Sequence, residues 1–257
     1  AAVNWHEDVV EILLERKYVN PNEADGGYGR IPLSLAVRRG HVAGIVELLL
    51  VRNDVNPERA DNGGRTPFSW AAECEYGAVV KMLLERDDVD PDRADDEGRT
   101  PFWFAAEYGH EGIVELLLER NDVEPDRADG WGQTPFSRAA ENGREEVVEL
   151  LLEWSDVDPD RADNEGRTPF SLAAEYGNEG IVELLLEQND VDPDRADNEG
   201  CTPFSFAGER DHVHVVKLLE ERRNLIAKSA VMDESSKAIT MELSQPSEPP
   251  FKRFRLF

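Results

Sequence analysis

The chain has 257 residues, of which 55 are Asp or Glu and 28 Lys or Arg, giving a formal charge of −27. So acidic a surface repels nucleic-acid phosphates and anionic membranes, yet 40% apolar residues in recurring Val, Leu and Ile clusters argue for a folded body. Two cysteines, Cys74 and Cys201, suit a reducing compartment, cytoplasmic or nuclear, and no apolar run or signal-peptide pattern points to a membrane.

One unit recurs along the chain. Thr-Pro-Phe begins at Thr66, Thr100, Thr134, Thr168 and Thr202, every 34 residues, with Ile31-Pro32-Leu33 as an earlier variant. A second marker, the loop proline, stands at Pro21, Pro57, Pro91, Pro125, Pro159 and Pro193. In chain order this spacing predicts a partial unit 1–29, which starts inside a first helix because Ala1-Ala2 aligns with Ala139-Ala140. Full units follow at 30–64, with one extra residue near Val42-Ala43, then at 65–98, 99–132, 133–166 and 167–200. A capping unit at 201–228 closes the repeated body 1–228, and 229–257 forms a linker and tail. Trp5 and Tyr18 at one end, and Glu220-Glu221-Arg222-Arg223 at the other, depart from the pattern as caps should.

The unit 167–200 shows why the pattern folds. Thr168 before Pro169 suits an N-cap followed by proline at the first helical position. A short helix through Phe170 to Glu175 carries Ala173 and Ala174, small enough for a neighbouring helix to approach, and Gly177 tolerates the positive φ that ends it. A second helix carries Ile181, Val182, Leu184, Leu185 and Leu186, an apolar face too broad for a solitary helix. Asn189-Asp190-Val191-Asp192-Pro193-Asp194 then resists helix continuation. Two such helices bury their apolar faces only when copies stack, which predicts an all-α solenoid.

The unit resembles the ankyrin repeat: Thr-Pro, Ala-Ala, the Gly40-His41 and Gly109-His110 turns, an Ile/Val-Val-x-Leu-Leu-Leu helix and a loop returning to Gly-x-Thr-Pro. Phe68, Phe102, Phe136, Phe170 and Phe204 replace the family's Leu, and Ser34, Ser69, Ser137, Ser171 and Ser205 stand where His is usual. The loop is one residue longer than the family's, in a style similar to fungal tandem arrays. The resemblance implies a right-handed stack of helix pairs with projecting β-turn loops and a concave, loop-lined face that binds protein partners.

Candidate chemistry is sparse. Asp88-Val89-Asp90-Pro91-Asp92, Asp156-Val157-Asp158-Pro159-Asp160 and Asp190-Val191-Asp192-Pro193-Asp194 offer alternate carboxylates, but the glycine and glutamate that a calcium loop needs at positions six and twelve are Arg93 and Arg99 in the first copy. Arg59, Arg93, Arg127, Arg161 and Arg195 are expected to neutralise carboxylates within the loop or in the next repeat. His212 and His214 at i and i+2 diverge on a helix, so no metal site is expected. Cys74 and Cys201 fall four repeats apart, about 40 Å for layers about 10 Å apart, too far for a disulfide. No phosphate loop and no nucleophile–base set recurs, so neither catalysis nor a cofactor is expected.

The face implied by the resemblance carries two ladders. One is basic, through Arg30, Arg65, Arg99, Gln133, Arg167 and Cys201. The other is mainly acidic, through Glu73, Glu107, Glu141, Glu175 and Glu209, with Arg38 at its start. Irregular positions carry more information. Trp103 takes the Ser/His position, Arg138 a position otherwise held by Leu35, Trp70, Phe104, Leu172 or Phe206, and Trp131 a loop tip. Tyr108, Asn142 and Tyr176 follow Ala-Ala. Aromatic and Arg side chains dominate interface hot spots, so Arg99, Trp103, Tyr108, Trp131, Gln133, Arg138, Asn142, Arg167 and Tyr176 are the expected partner contacts. Trp70 and Phe104 are expected between repeats, and a Trp103–Arg138 cation–π contact would make both structural.

The segment 229–257 holds four basic and four acidic residues, so the charge of −27 lies on the body. Phe251, Lys252, Arg253, Phe254, Arg255 and Phe257 form an apolar, cationic tip that is expected to dock on an acidic surface of the same or a neighbouring chain. The leading functional expectation is a non-catalytic interaction module for a basic or amphipathic protein segment. A ligand-sensing or regulatory domain of a larger multidomain receptor is the alternative, suggested by the absent initiator Met and truncated first unit, and a small-molecule binder or enzyme comes third.

Overall fold

The structure, a computed structural model, describes residues 7–16, 18–40, 44–225 and 228. The expectations for Trp5, for His41 and the inserted residue at Val42-Ala43, and for the tail residues Phe251, Lys252, Arg253, Phe254, Arg255 and Phe257 lie outside the described residues. The chain divides into Ala1–Val215 and a C-terminal unit from Val216 onward, in which 216–225 are helical.

Every described element is a helix. After α1 (Glu7–Leu14) come pairs: α2 (Pro32–Arg38) with α3 (Ile45–Leu50), α4 (Pro67–Glu73) with α5 (Gly77–Leu84), and α6 (Pro101–Tyr108) with α7 (Glu111–Leu118). They continue with α8 (Pro135–Glu141) and α9 (Glu145–Leu152), α10 (Pro169–Tyr176) and α11 (Glu179–Leu186), then α12 (Pro203–Glu209) ahead of a helical stretch over 213–225. Among the described residues no strand occurs.

Local chemistry sets the boundaries. Thr66, Thr100, Thr134, Thr168 and Thr202 hold extended φ/ψ, and each hydroxyl accepts the backbone N–H three residues on. Proline follows at the first helical position, where its missing N–H costs nothing. Ile31 opens α2 without any side-chain cap. Gly109 and Gly177 end α6 and α10 in the left-handed region, at φ 79° and 73°. Glu75 and Asp211 occupy the corresponding turns at φ 62° and 60°, where a Cβ is strained.

Packing then follows the repeat. The first helices α2, α4, α6, α8, α10 and α12 stack in series, and α5, α7, α9 and α11 stack behind them, with α1 on α3. Thus α1 is the second helix of the partial first unit. The paired alanines of α4, α6, α8 and α10 are fully buried and allow that close approach. Phe68, Phe102, Phe136 and Phe170 are also fully buried, so the phenylalanine row is the spine of the core, joined by Leu83, Leu117, Leu151 and Leu185 from the second helices.

Candidate partner-binding face

The loops between units present a repeated turn. In the first loop Asp25 Oδ1 accepts from the backbone N–H groups of Tyr28 and Arg30, three and five residues on. In the next four, one aspartate Oδ1 accepts backbone N–H groups two and four residues on: Asp61 from Gly63 and Arg65, Asp95 from Glu97 and Arg99, Asp129 from Trp131 and Gln133, Asp163 from Glu165 and Arg167. Asp197 repeats this with Glu199 and Cys201. Consecutive loops are tied by backbone bonds, such as Gly130 N–H to Glu97 O at 2.8 Å and Asn164 N–H to Trp131 O at 3.0 Å. Gly98, at φ 83°, faces the backbone of Asp129 and Gly130, so a Cβ would strain both its dihedrals and this contact. The loop tips are therefore a fixed platform.

On that platform the basic ladder does not simply pair with the acidic one. Arg65 bonds Glu73, joining the two. Arg99 and Arg167 instead grip their own loop, with Asp95 and Asp163 at 2.8 and 2.9 Å and with Glu97 and Glu165 beside them. Arg65 also lies over Trp70, its guanidinium carbon 3.5 Å from the ring centroid, and over Phe104 at 4.1 Å. Trp70 and Phe104 are buried between repeats, as expected.

The expected contacts separate into two groups. Trp103 is only 3% exposed, and its Nε1–H donates to the Gln133 carbonyl at 3.2 Å. Gln133 is 9% exposed, and its Oε1 accepts from Arg138 Nη1 at 3.3 Å. Arg138 lies over Trp103 at 5.2 Å and bridges Glu107 and Glu141. The expectation of direct partner contact is corrected for Trp103 and Gln133: both side chains pack inside the stack, and Arg138 joins them as an inter-repeat tie. On the surface stand Trp131 at 55%, Tyr176 at 51% and Tyr108 at 44% exposure, with Asn142 exposed and Arg99 and Arg167 partly so. Tyr108 stacks on His110, centroids 6.0 Å apart. Burial, then the Glu107 and Glu73 charges, raise the Tyr108 phenol above its ordinary pKa; burial, then Glu141 and Glu175, do so for Tyr176.

The outer loops carry a second correction. Arg93, Arg127, Arg161 and Arg195 reach back to the preceding repeat, not forward. Each donates to a backbone carbonyl and a carboxylate 35 residues earlier, on Glu58, Asp92, Asp126 and Asp160 respectively. The arginine follows the loop proline, so its long side chain spans the layer below. Burial pushes the Asp92, Asp126 and Asp160 carboxyls above the ordinary carboxylate range, against the opposing pull of those arginines. The carboxylates that suggested calcium are engaged by the chain itself: Asp90, Asp158 and Asp192 each accept the N–H two residues on, and Asp88 pairs with Arg86. Among the described residues no three His, Cys, Asp or Glu side chains converge as a metal site.

Two features escaped the sequence reading. The turn bonds of the Asp61, Asp95, Asp129, Asp163, Asp197 row were one; their signal was the fixed spacing to the ladder residue four positions on. Trp154, 38% exposed, replaces Arg52, Arg86 and Arg120 of earlier units. Those arginines pair with the aspartate two residues on, a bond that tryptophan cannot supply to Asp156. Among the described residues no helix is long and apolar enough to cross a membrane.

A protein-family model described as "Ankyrin repeats (3 copies)" matches three overlapping stretches, residues 1–95, 87–163 and 137–228. No curated protein matches the chain.

Proposed function

Given that this chain belongs to the ankyrin repeat family, whose repeats are generally protein–protein interaction modules, we propose that it is a non-catalytic module binding a basic or amphipathic protein segment on the face of its loop tips and first helices. The observation that carries this reading is the exposure of Trp131, Tyr108 and Tyr176 on a chain of charge −27, with Glu107 beside Tyr108 and Glu141 and Glu175 beside Tyr176. The rings supply surface that gains from desolvation, and the chain's net negative charge steers a cationic segment towards it, since Glu107, Glu141 and Glu175 are themselves paired with Arg138 and Arg210. The fixed loop platform lowers the ordering cost of binding.

The test uses a synthetic amphipathic nonapeptide of alternating lysine and leucine, titrated calorimetrically into the protein. Raising salt from about 0.05 M to about 0.5 M should weaken binding about tenfold or more, because exposed charges are then screened within a few ångströms. Trp131→Ala should weaken it about tenfold at low salt, the size of one aromatic hot spot. Binding indifferent to salt and to Trp131→Ala, or no binding at all, contradicts the proposal.

A further inference from the structure

Arg65 bonds Glu73 and Arg30 reaches Asp61 of the next loop, whereas in two loops the ladder arginine is met by two receivers of its own loop. One is the aspartate Oδ2 that the turn leaves over: Asp95 accepts from Arg99 Nε at 2.9 Å and Nη2 at 2.8 Å, and Asp163 from Arg167 Nε at 3.1 Å. The other is the tip residue two before the arginine. Glu97 pairs with Arg99 at 2.8 Å, Glu165 with Arg167 at 3.2 Å, and in the first loop Arg30 lies 4.2 Å over the Tyr28 ring.

The 129–133 loop keeps both receivers and lacks the guanidinium. Its ladder residue is Gln133, its tip residue is the exposed Trp131, and the Asp129 carboxylate is 7% exposed with an Oδ2 that has no hydrogen-bond partner. The arginine next to it, Arg138, is committed to Glu107 and Glu141, and Arg99 to Asp95 and Glu97. Arg138 is thus divided between Glu107 and Glu141, and no guanidinium bonds Asp129 Oδ2. Arg99 and Arg167, which fill this position in their own loops, are 25% and 26% exposed, whereas here the buried Gln133 side chain stands in their place, bonded to Arg138. A guanidinium enters when the Gln133 amide gives up that bond and turns aside.

We infer that the 129–133 loop is an arginine-receiving site: an arginine of a bound protein segment donates its guanidinium to Asp129 Oδ2 and stacks on Trp131, completing the array that Arg99 and Arg167 complete in cis. A planar, five-donor guanidinium fits a carboxylate edge and an aromatic face together, whereas an ammonium supplies neither the planar fork nor the stacking surface. This inference rests on the cationic-segment reading above and sharpens it to one side chain.

The test compares the lysine–leucine nonapeptide with the same peptide carrying arginine in place of its central lysine, both titrated at one ionic strength into the full chain. Wild type should bind the arginine peptide about tenfold tighter. Asp129→Asn, which keeps Oδ1 for the turn, and Gln133→Arg, which fills the site from within, should each abolish that preference while still binding the lysine peptide. Gln133→Arg should also raise the melting temperature by about 2–4 °C, without any partner, by bonding Asp129. Equal affinity of wild type for the two peptides overturns the arginine site and leaves the cationic-segment reading standing. A preference that survives both substitutions, or a lower melting temperature for Gln133→Arg, overturns it too. Failure of both peptides to bind removes the broader reading and the site with it.

Discussion

The loops 129–133 and 163–167 lie one repeat apart and share their backbone. In each an aspartate accepts the same two N–H groups, and in each the tip is tied to the loop that follows, Trp131 O to Asn164 N–H and Glu165 O to Asn198 N–H. They differ in closure: Arg167 fastens Asp163, while Gln133 leaves Asp129 Oδ2 without a partner. The repeated residues thus specify the fold many times over, and a departure such as Gln133 alters surface chemistry without altering the path of the chain. Function in such an array is read from departures, because the common pattern is already spent on stacking.

The comparison can be strained most severely through the core that the two units share. Phe136→Ala and Phe170→Ala each remove a fully buried ring and should destabilise by about 3–5 kcal/mol. Urea denaturation should give similar losses for the two. A loss confined to one of them would break the equivalence of the units. The next largest effect comes from copying the exception onto the regular loop. Arg167→Gln leaves Asp163, whose side chain is 2% exposed, without its donor for Oδ2, at a cost of about 1–3 kcal/mol; an unchanged denaturation midpoint would show that closure contributes nothing.

A smaller gain should follow at the turn after α4. Glu75 holds φ 62° where Gly109 and Gly177 stand in later units, so Glu75→Gly should stabilise by about 0.5–1 kcal/mol, relief of strain exceeding the added chain entropy. The same denaturation experiment reads it, and a lower midpoint would contradict the assignment of strain.

The gentlest perturbation is pH. Burial raises the folded-state pKa of Asp92, Asp126, Asp129 and Asp160. Folding therefore favours their protonated forms, so their contribution is fully present below the unfolded-state pKa and lost as pH rises through the folded one. Hydrogen bonds from Arg86 and Arg120 lower Asp88 and Asp122, whose contribution is present above the unfolded value and lost as pH falls through their folded one. Stability should accordingly peak at mildly acidic pH, and Asp129→Asn should remove part of the rise below neutrality. A melting-temperature maximum at or above neutral pH would contradict this balance.

Much of the framework was legible in the residues. Thr-Pro marked the N-caps, Gly109 and Gly177 the left-handed turns, and the Ile/Val-Leu-Leu runs the second row, because each acts through local backbone geometry or a periodic apolar face. The candidate site was legible only in part. Trp131 stood out as a large ring at a loop tip, and Tyr108 and Tyr176 as rings in the variable positions after Ala-Ala; the structure leaves all three exposed. Trp103 and Gln133 were harder, since their burial depends on the neighbouring unit: the Trp103 indole finds its acceptor 30 residues on. The backward reach of Arg127, Arg161 and Arg195 was hidden for the same reason. A spacing of 35 residues between arginine and aspartate acquires meaning only once the layers are stacked.

The most direct test of the account is where a cationic segment lands. Amide hydrogen exchange, measured with and without the lysine–leucine nonapeptide, should show added protection at the loop tips around 129–133 and at the C-terminal ends of α6, α8 and α10. Protection confined to α7, α9 and α11, with the loop tips unchanged, would contradict it.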